Sequence, residues 1–321
     1  MKQLPSISNS IDEDKILKII NKNFSKIAPF YYELISGWLI RSYKTFNDID
    51  KFIILIYFIN KDLIFYRKNG LIINYDTFYK DKSLEIPKIN ITDISNDLQI
   101  PKESVRRKLQ ELEKAGVIKK TKKKIFLDIS AFIAQKPLKT LREFSALINK
   151  FNEVLVEEKI TTKVFDVNEI SQSIKNNFSF CWYQFYKLLF AFTNRWRASL
   201  EDLETLAIGL VVLLNTIGNK SFKTKDLNMK YWVKFAQGAD DVGVNAMSLS
   251  DITGIPRPTV VRKIKKLIKD DFLHINEKKL ITLNITGQRL EKQIQMQDQN
   301  MKNLSNFLYR IFNQIKITNT N

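Results

Sequence analysis

Residues 246–285 read AMSLSDITGIPRPTVVRKIKKLIKDDFLHINEKKLITLNI, and this stretch decides the fold. Leu249–Thr253 predicts a short helical segment with Leu249 and Ile252 on its apolar side. Gly254 supplies a turn, Ile255 packs inward, and Pro258 suits the first turn of a second helix, where its missing N–H costs nothing. That second helix places Val260, Ile264, Leu267 and Ile268 on one face, with Arg257, Thr259, Val261, Arg262 and Lys265 on the other. Asp270 and Asp271 end it. Phe272–Ile275 and Leu280–Leu283 then alternate as the strands of a hairpin turning at 276–279.

The same order recurs 155 residues earlier. At that offset the chain aligns with itself from Asn47 to Leu127: Ile100-Pro101 lies over Ile255-Pro256, and Val105, Arg107, Lys108, Leu112 and Lys114 over Val260, Arg262, Lys263, Leu267 and Lys269. In this earlier copy Ile94–Leu98 is the first helix, and Lys102–Ala115 the second, with Val105, Leu109 and Leu112 inside. Gly116 stops it, and Val117–Lys120 and Ile125–Ile129 are the strands. With one residue of slack, residues 20–25 (INKNFS) also match 174–179 (IKNNFS).

Each copy carries flanking helices. An amphipathic one opens copy one, with Ile16, Ile19, Ile20, Phe24 and Ile27 at steps of three and four. Aromatic helices follow (Phe30–Tyr43; Trp182–Trp196), then wholly apolar ones (Phe52–Ile59; Leu206–Leu214). Residues 67–90 and 218–245 form an irregular connection without an assignment. Closing helices bear the stripes Phe144, Leu147, Ile148, Phe151, Val154, Leu155 and Leu304, Phe307, Leu308, Ile311, Phe312, Ile315. The expected architecture is mainly α with small β-hairpins: two duplicated domains, 1–160 and 161–321, with modules near 91–129 and 246–285. Their flanking helices would form an intramolecular pseudo-dimer layer.

Composition narrows the partners. Lys+Arg number 52 against 34 Asp+Glu, a formal charge of +18 that favours polyanions. The apolar runs are less than half of the roughly 20 residues a membrane-spanning helix needs, so no membrane association is expected. Residues 1–14, MKQLPSISNSIDED, contain no secretory apolar core. A single cysteine excludes an intramolecular disulfide and fits a reducing compartment, with the cytoplasm as the expectation.

Helix, tight turn, helix and basic hairpin make a winged helix-turn-helix, which sets its second helix in the major groove of duplex DNA and its hairpin on the flanking backbone. The segments IPRPTVVRKIKKLIKDDFL and IPKESVRRKLQELEKAGVI resemble the recognition helices of bacterial winged-helix transcription regulators. With LNIT after the second hairpin and helices on either side, the unit is similar to the MarR family, although its wing lacks that family's Asp-x-Arg. The resemblance implies a DNA-binding regulator equivalent to a dimer fused in one chain. The residues expected to meet DNA are Lys102, Ser104, Arg106, Arg107, Lys119, Lys120 and Lys122, Lys123, Lys124 in copy one. In copy two they are Arg257, Thr259, Val261, Arg262, Lys265, Lys278 and Lys279. Arginine forks onto guanine and lysines hold phosphate. Copy two's helix, free of acids from 256 to 269, is expected to lead base contacts, and copy one's wing to supply phosphate attraction.

Other residues carry blander readings. His274 is a wing side chain, Cys181 a buried thiol, and Tyr31, Tyr32, Trp38, Tyr183 and Trp196 are core aromatics before they are a ligand pocket. One His and one Cys leave no common zinc set, and no phosphate-cradling glycine loop occurs, so neither an enzyme nor a cofactor nor a metal is expected. Further homodimerisation and a small-molecule effector stay open. The alternative to a transcription regulator is a plasmid or chromosome replication initiator or partition protein with tandem winged helices. A protein-binding scaffold is a third reading.

Overall fold

A computed structural model of the chain describes residues 12–80, 83–128, 137–218, 228, 243–284 and 290–319. The fold is mainly helical, with two small antiparallel sheets. In chain order the elements are α1 (Glu13–Lys22), α2 (Phe24–Phe46), α3 (Ile49–Lys68), α4 (Tyr75–Phe78), β1 (Ser83–Pro87), α5 (Ile91–Leu98), α6 (Lys102–Lys114), β2 (Ile118–Lys120) and β3 (Lys124–Asp128). There follow α7 (Leu138–Glu157), α8 (Val167–Asn176), α9 (Phe178–Leu200), α10 (Leu203–Ile217), α11 (Ala246–Thr253), α12 (Arg257–Lys269), β4 (Leu273–Ile275), β5 (Ile281–Leu283) and α13 (Leu290–Asn319).

These elements fall into two compact units, each drawing chain from both halves of the sequence. One comprises Met1–Gly37, Arg142–Ser173 and Ala207–Asn321, and the other Trp38–Leu141 and Ile174–Leu206.

In the first unit the long apolar stripes find each other. Phe144, Leu147, Ile148, Phe151, Val154 and Leu155 on α7 are wholly buried, as are Leu304, Phe307, Leu308, Ile311, Phe312 and Ile315 on α13. Phe144 meets Phe307 with ring centroids 5.1 Å apart, and Phe312 lies edge-on to Phe151 at 5.8 Å. The helix α1 packs along α13, where Ser305 donates to the Glu13 carbonyl at 2.9 Å and Asn306 to the Glu13 carboxylate at 2.9 Å. Ile16, Ile19, Ile20, Phe24 and Ile27 are buried together as expected, but not on one continuous helix. Asn23 breaks it: its side chain donates to the Ile19 carbonyl and to Glu158, and α2 starts afresh at Phe24.

The second unit is built on α3, which packs against α9 and carries α5, α6 and β1. Its apolar run is buried almost throughout, from Ile53 to Ile59. Here the irregular connection of the sequence resolves into structure. Residues 83–87 (SLEIP) form β1, which pairs with β3 in the register Leu84↔Leu127 and Ile86↔Ile125, giving the sheet order β1-β3-β2. In the first unit the same side of the β4-β5 hairpin is met by Val244, bridged to Ile281 by hydrogen bonds of 3.0 and 2.9 Å. Gly243 lies so close that a Cβ there would fall 2.4 Å from that of Leu280, so this approach tolerates no side chain.

The strand expected to reach Ile129 is described to Asp128. Most of 218–245, and the residues after Asn284 in LNIT, lie outside the described residues.

Phe312 is 1% exposed and touches both Phe151 and Phe165. Replacing it with alanine is expected to cost about 3–5 kcal/mol, the usual range for a buried phenylalanine, read as a lowered denaturation midpoint at unchanged slope.

Candidate nucleic-acid interface

Two segments share one local geometry: α5-turn-α6-β2-β3 in one unit and α11-turn-α12-β4-β5 in the other. Their turns correspond in detail. Ser95 donates to the Ile100 carbonyl at 2.7 Å, and Ser250 donates to the Ile255 carbonyl at 2.7 Å. The residue before each isoleucine is left-handed, Gln99 at φ 52° and Gly254 at φ 76°. Pro101 and Pro256 follow with φ/ψ of −52°/135° and −54°/135°, and their carbonyls accept from Val105 and Val260 at 3.0 Å. A proline fixes φ just before the helix, so each second helix leaves its turn in a set direction. Periodicity does not single out the two serines; their spacing of five before each Ile-Pro isoleucine is the available signal.

The helices bury the faces that periodicity assigns, with two corrections. Val105, Leu109 and Leu112 on α6, and Val260, Ile264 and Leu267 on α12, are buried, but Ile268 is only half-buried. On α11 the inward pair is Leu249 and Thr253, while Ile252 is 45% exposed. Residues four apart stack on a helix face. The Thr253 hydroxyl also satisfies itself by donating to the Leu249 carbonyl at 2.6 Å, which lets a polar residue occupy the core position.

The opposite faces hold the expected contact residues. On α6, Lys102, Arg106 and Arg107 are exposed and Ser104 is half-buried. On α12, Arg257, Val261, Arg262 and Lys265 are exposed and Thr259 is half-buried. In the first hairpin Lys119, Lys122, Lys123 and Lys124 are exposed and Lys120 is half-buried. The Thr121 hydroxyl accepts from the Lys124 N–H at 3.0 Å and closes the turn, leaving Lys122 and Lys123 at its tip. Lys278 and Lys279 are exposed in the second turn, where the Asn276 side chain accepts from the Leu280 N–H at 2.9 Å.

Charge is distributed differently in the two. The α6 helix carries five cations and three acids, and most of these cations are engaged. Arg106 donates to both oxygens of Glu103 at 2.9 Å, and Arg107 lies 3.8 Å from Glu111, which Lys51 also holds at 2.6 Å. That hydrogen-bonded ammonium keeps the Glu111 carboxyl below the usual carboxylate range, and Lys120 does the same for Glu113 from 3.1 Å. Lys124 pairs with Glu85 across β1 and β3. The α12 helix carries six cations and no acid. Among the described residues, no ion pair involves Arg257, Arg262 or Lys265.

Lys108 stands apart. It is 7% exposed, turned inward, and pairs with Asp48 and, at 3.8 Å, with Asp50. Asp50 in turn receives Arg197 of α9 at 2.5 Å. Asp48 also caps α3, accepting from the Lys51 N–H at 3.2 Å. This cluster joins α6, α3 and α9, and single-letter periodicity hides it because lysine reads as a surface residue.

His274 lies on β4 with its ring against the Thr282 hydroxyl. Cys181 is fully buried, and burial pushes its thiol well above the ordinary value. Of the aromatics considered as pocket walls, Trp38 borders a cavity of about 310 Å³ together with Phe52, Tyr79, Trp182 and Tyr186. Among the described residues no cluster of three His, Cys, Asp or Glu side chains is placed to hold a metal, and no helix is long and apolar enough to cross a membrane. Comparison with known protein families, with curated proteins and with solved structures returns no match.

Removing one partner from the buried cluster leaves charge without compensation. Asp50→Ala is expected to lower stability by about 3 kcal/mol, whereas Glu103→Ala, which frees only a surface pair, should change it by less than about 1 kcal/mol. Urea denaturation of the two variants checks this ordering. Cys181 is expected to resist a thiol reagent in the native protein and to react at once in denaturant.

Proposed function

We propose that this protein is a sequence-specific double-stranded DNA-binding transcription regulator, a MarR-like winged-helix unit duplicated in one chain and equivalent to a pseudo-dimer. The observation that carries the reading is α12: a 13-residue helix set by an Ile-Pro turn, with six cations and no carboxylate of its own. Such a helix fits the major groove, where its first two turns meet base edges and its remaining lysines meet phosphate. The matching turn hydrogen bonds 155 residues apart support two reading modules of common origin.

The modules divide the work. Arg106 and Arg107 would have to leave Glu103 and Glu111 before engaging bases, so α6 contributes less to sequence preference. Among the described residues the tip lysines Lys122 and Lys123 have no such competitor, and this hairpin acts mainly on the phosphate backbone. The preferred site is therefore asymmetric, with base specificity concentrated under α12. The five lysines of 119–124 and the +18 charge supply the non-specific attraction.

Selection from a random duplex library, followed by titration of variants on the selected site, tests the reading. Arg262→Ala is expected to cost about 1–3 kcal/mol on that site and to relax one base position, against a small loss on unrelated duplex. Replacing Lys122 and Lys123 with alanine should weaken all duplexes alike and reduce the log–log salt slope by roughly 2 units, since each phosphate left without its lysine lowers it by about 0.9. Glu103→Ala, by releasing Arg106, should tighten binding to every duplex. Affinity that is the same for all sequences and indifferent to salt would overturn the proposal.

A further inference from the structure

We propose that Val261 reads the 5-methyl group of a thymine, making it the residue that sets A·T preference at one position of the bound duplex; this rests on the DNA-binding reading above. Val261 is the fifth residue of α12 and lies on the same outward line as Arg257 and Lys265, four residues to either side. It is 36% exposed, while its neighbour Val260 is fully buried in the module's core. Every other exposed side chain between 259 and 269 is Arg or Lys. An isopropyl group displayed among three exposed cations gains nothing from water, and a β-branched residue adds nothing to helix propensity.

A major-groove partner supplies what water does not. Thymine presents there one acceptor and one methyl group, the only apolar feature on a base edge, and short apolar side chains recognise it by contact. The residue lies in the first half of the helix, the part that meets base edges in this mode of docking. Arg257 and Arg262 flank it with groups suited to guanine or to phosphate, so the helix offers one methyl-sensing position between charged ones. The second module does not repeat the device. At the matching position of α6 stands Arg106, held by Glu103. A bound duplex should therefore hold one methyl-sensitive thymine.

The test uses the full chain and the duplex selected above. Each thymine is replaced in turn by deoxyuridine, which keeps every hydrogen-bonding group and removes only the methyl. One position is expected to lose about fourfold in affinity, the factor that burying one methyl-sized group supplies. Val261→Ala should weaken the parent duplex by a similar factor and abolish the sensitivity at that position, so that the two changes are not additive. Val261 is surface-exposed, and an unchanged denaturation midpoint keeps the comparison free of folding effects. If a preferred duplex exists but no thymine is methyl-sensitive, or if the sensitivity survives in Val261→Ala, this assignment is overturned while the DNA-binding reading stands. If no duplex is preferred at all, sequence-specific recognition fails, and the assignment fails with it.

Discussion

Asp48 and Asp50 open α3 two residues apart, and between them they engage Lys108 of α6 and Arg197 of α9. These four groups sit in or near the interior, where each charge has lost much of its hydration and depends on its neighbours for compensation. That dependence sets the rotation of α6. A helix with Val105, Leu109 and Leu112 inside has some freedom to roll about its axis, because apolar contacts are not directional. An inward ammonium with two fixed carboxylates has much less. Once Lys108 is held, Lys102, Arg106 and Gln110 must face outward, as all three do.

The helices α6 and α12 show how cations on matching faces can be committed in different ways. A Glu in the first turn complements the partial positive charge of a helix N-terminus, so Glu103 favours α6 as a helix. The same carboxylate reaches Arg106 one turn later and occupies its guanidinium. The pair is exposed on both sides and contributes little to stability. Its larger effect falls on availability, since any anion approaching Arg106 would compete with a carboxylate already in place. Local helix stability and availability for an external polyanion are in conflict on α6.

Much of this was legible in the chain. The Ile-Pro punctuation located both second helices to within a residue of their observed ends, and the stripes of 144–155 and 304–315 are buried at every expected position. What periodicity missed shares one cause: it depends on partners that hydropathy does not register, most of them remote in sequence. The strand 83–87 has only Leu84 and Ile86 to mark it, and β3 some forty residues later makes it a strand. Thr253 displaces Ile252 from the core because a hydroxyl can satisfy itself on the previous turn, a bond no hydropathy pattern records. The inward Lys108 is the same case in stronger form, since only Asp48 and Asp50, about sixty residues away, make its burial tolerable. Among the proposed contact residues, exposure was legible and availability was not. Arg107 and Arg262 align in the sequence, and what separates them is an acid on the following turn, Glu111, where α12 has Lys266.

The first-turn acid of α6, Glu103, also has a counterpart in α12, and the counterpart is a proline. Pro258 stands where Glu103 stands, 155 residues on, and it serves the helix start by another route: its φ is preset and its missing N–H would have had no intrahelical acceptor. The start is then secured without a carboxylate. Without one, the remaining first-turn N–H groups and the partial charge of the helix terminus add to Arg257 and Arg262 rather than cancelling them. With Lys266 also standing where Glu111 stands, α12 carries no carboxylate of its own, and the conflict that persists in α6 is absent from it. Among the described residues Arg257 and Arg262 enter no ion pair, and the exposed cations share their face with the apolar side chain of Val261. The asymmetry between the two modules thus needs no difference in backbone geometry, since their turns match to within a few degrees and a few tenths of an ångström at Pro101 and Pro256. It follows from two side-chain differences, Pro258 in place of Glu103 at the helix start and Lys266 in place of Glu111 one turn after the aligned arginine.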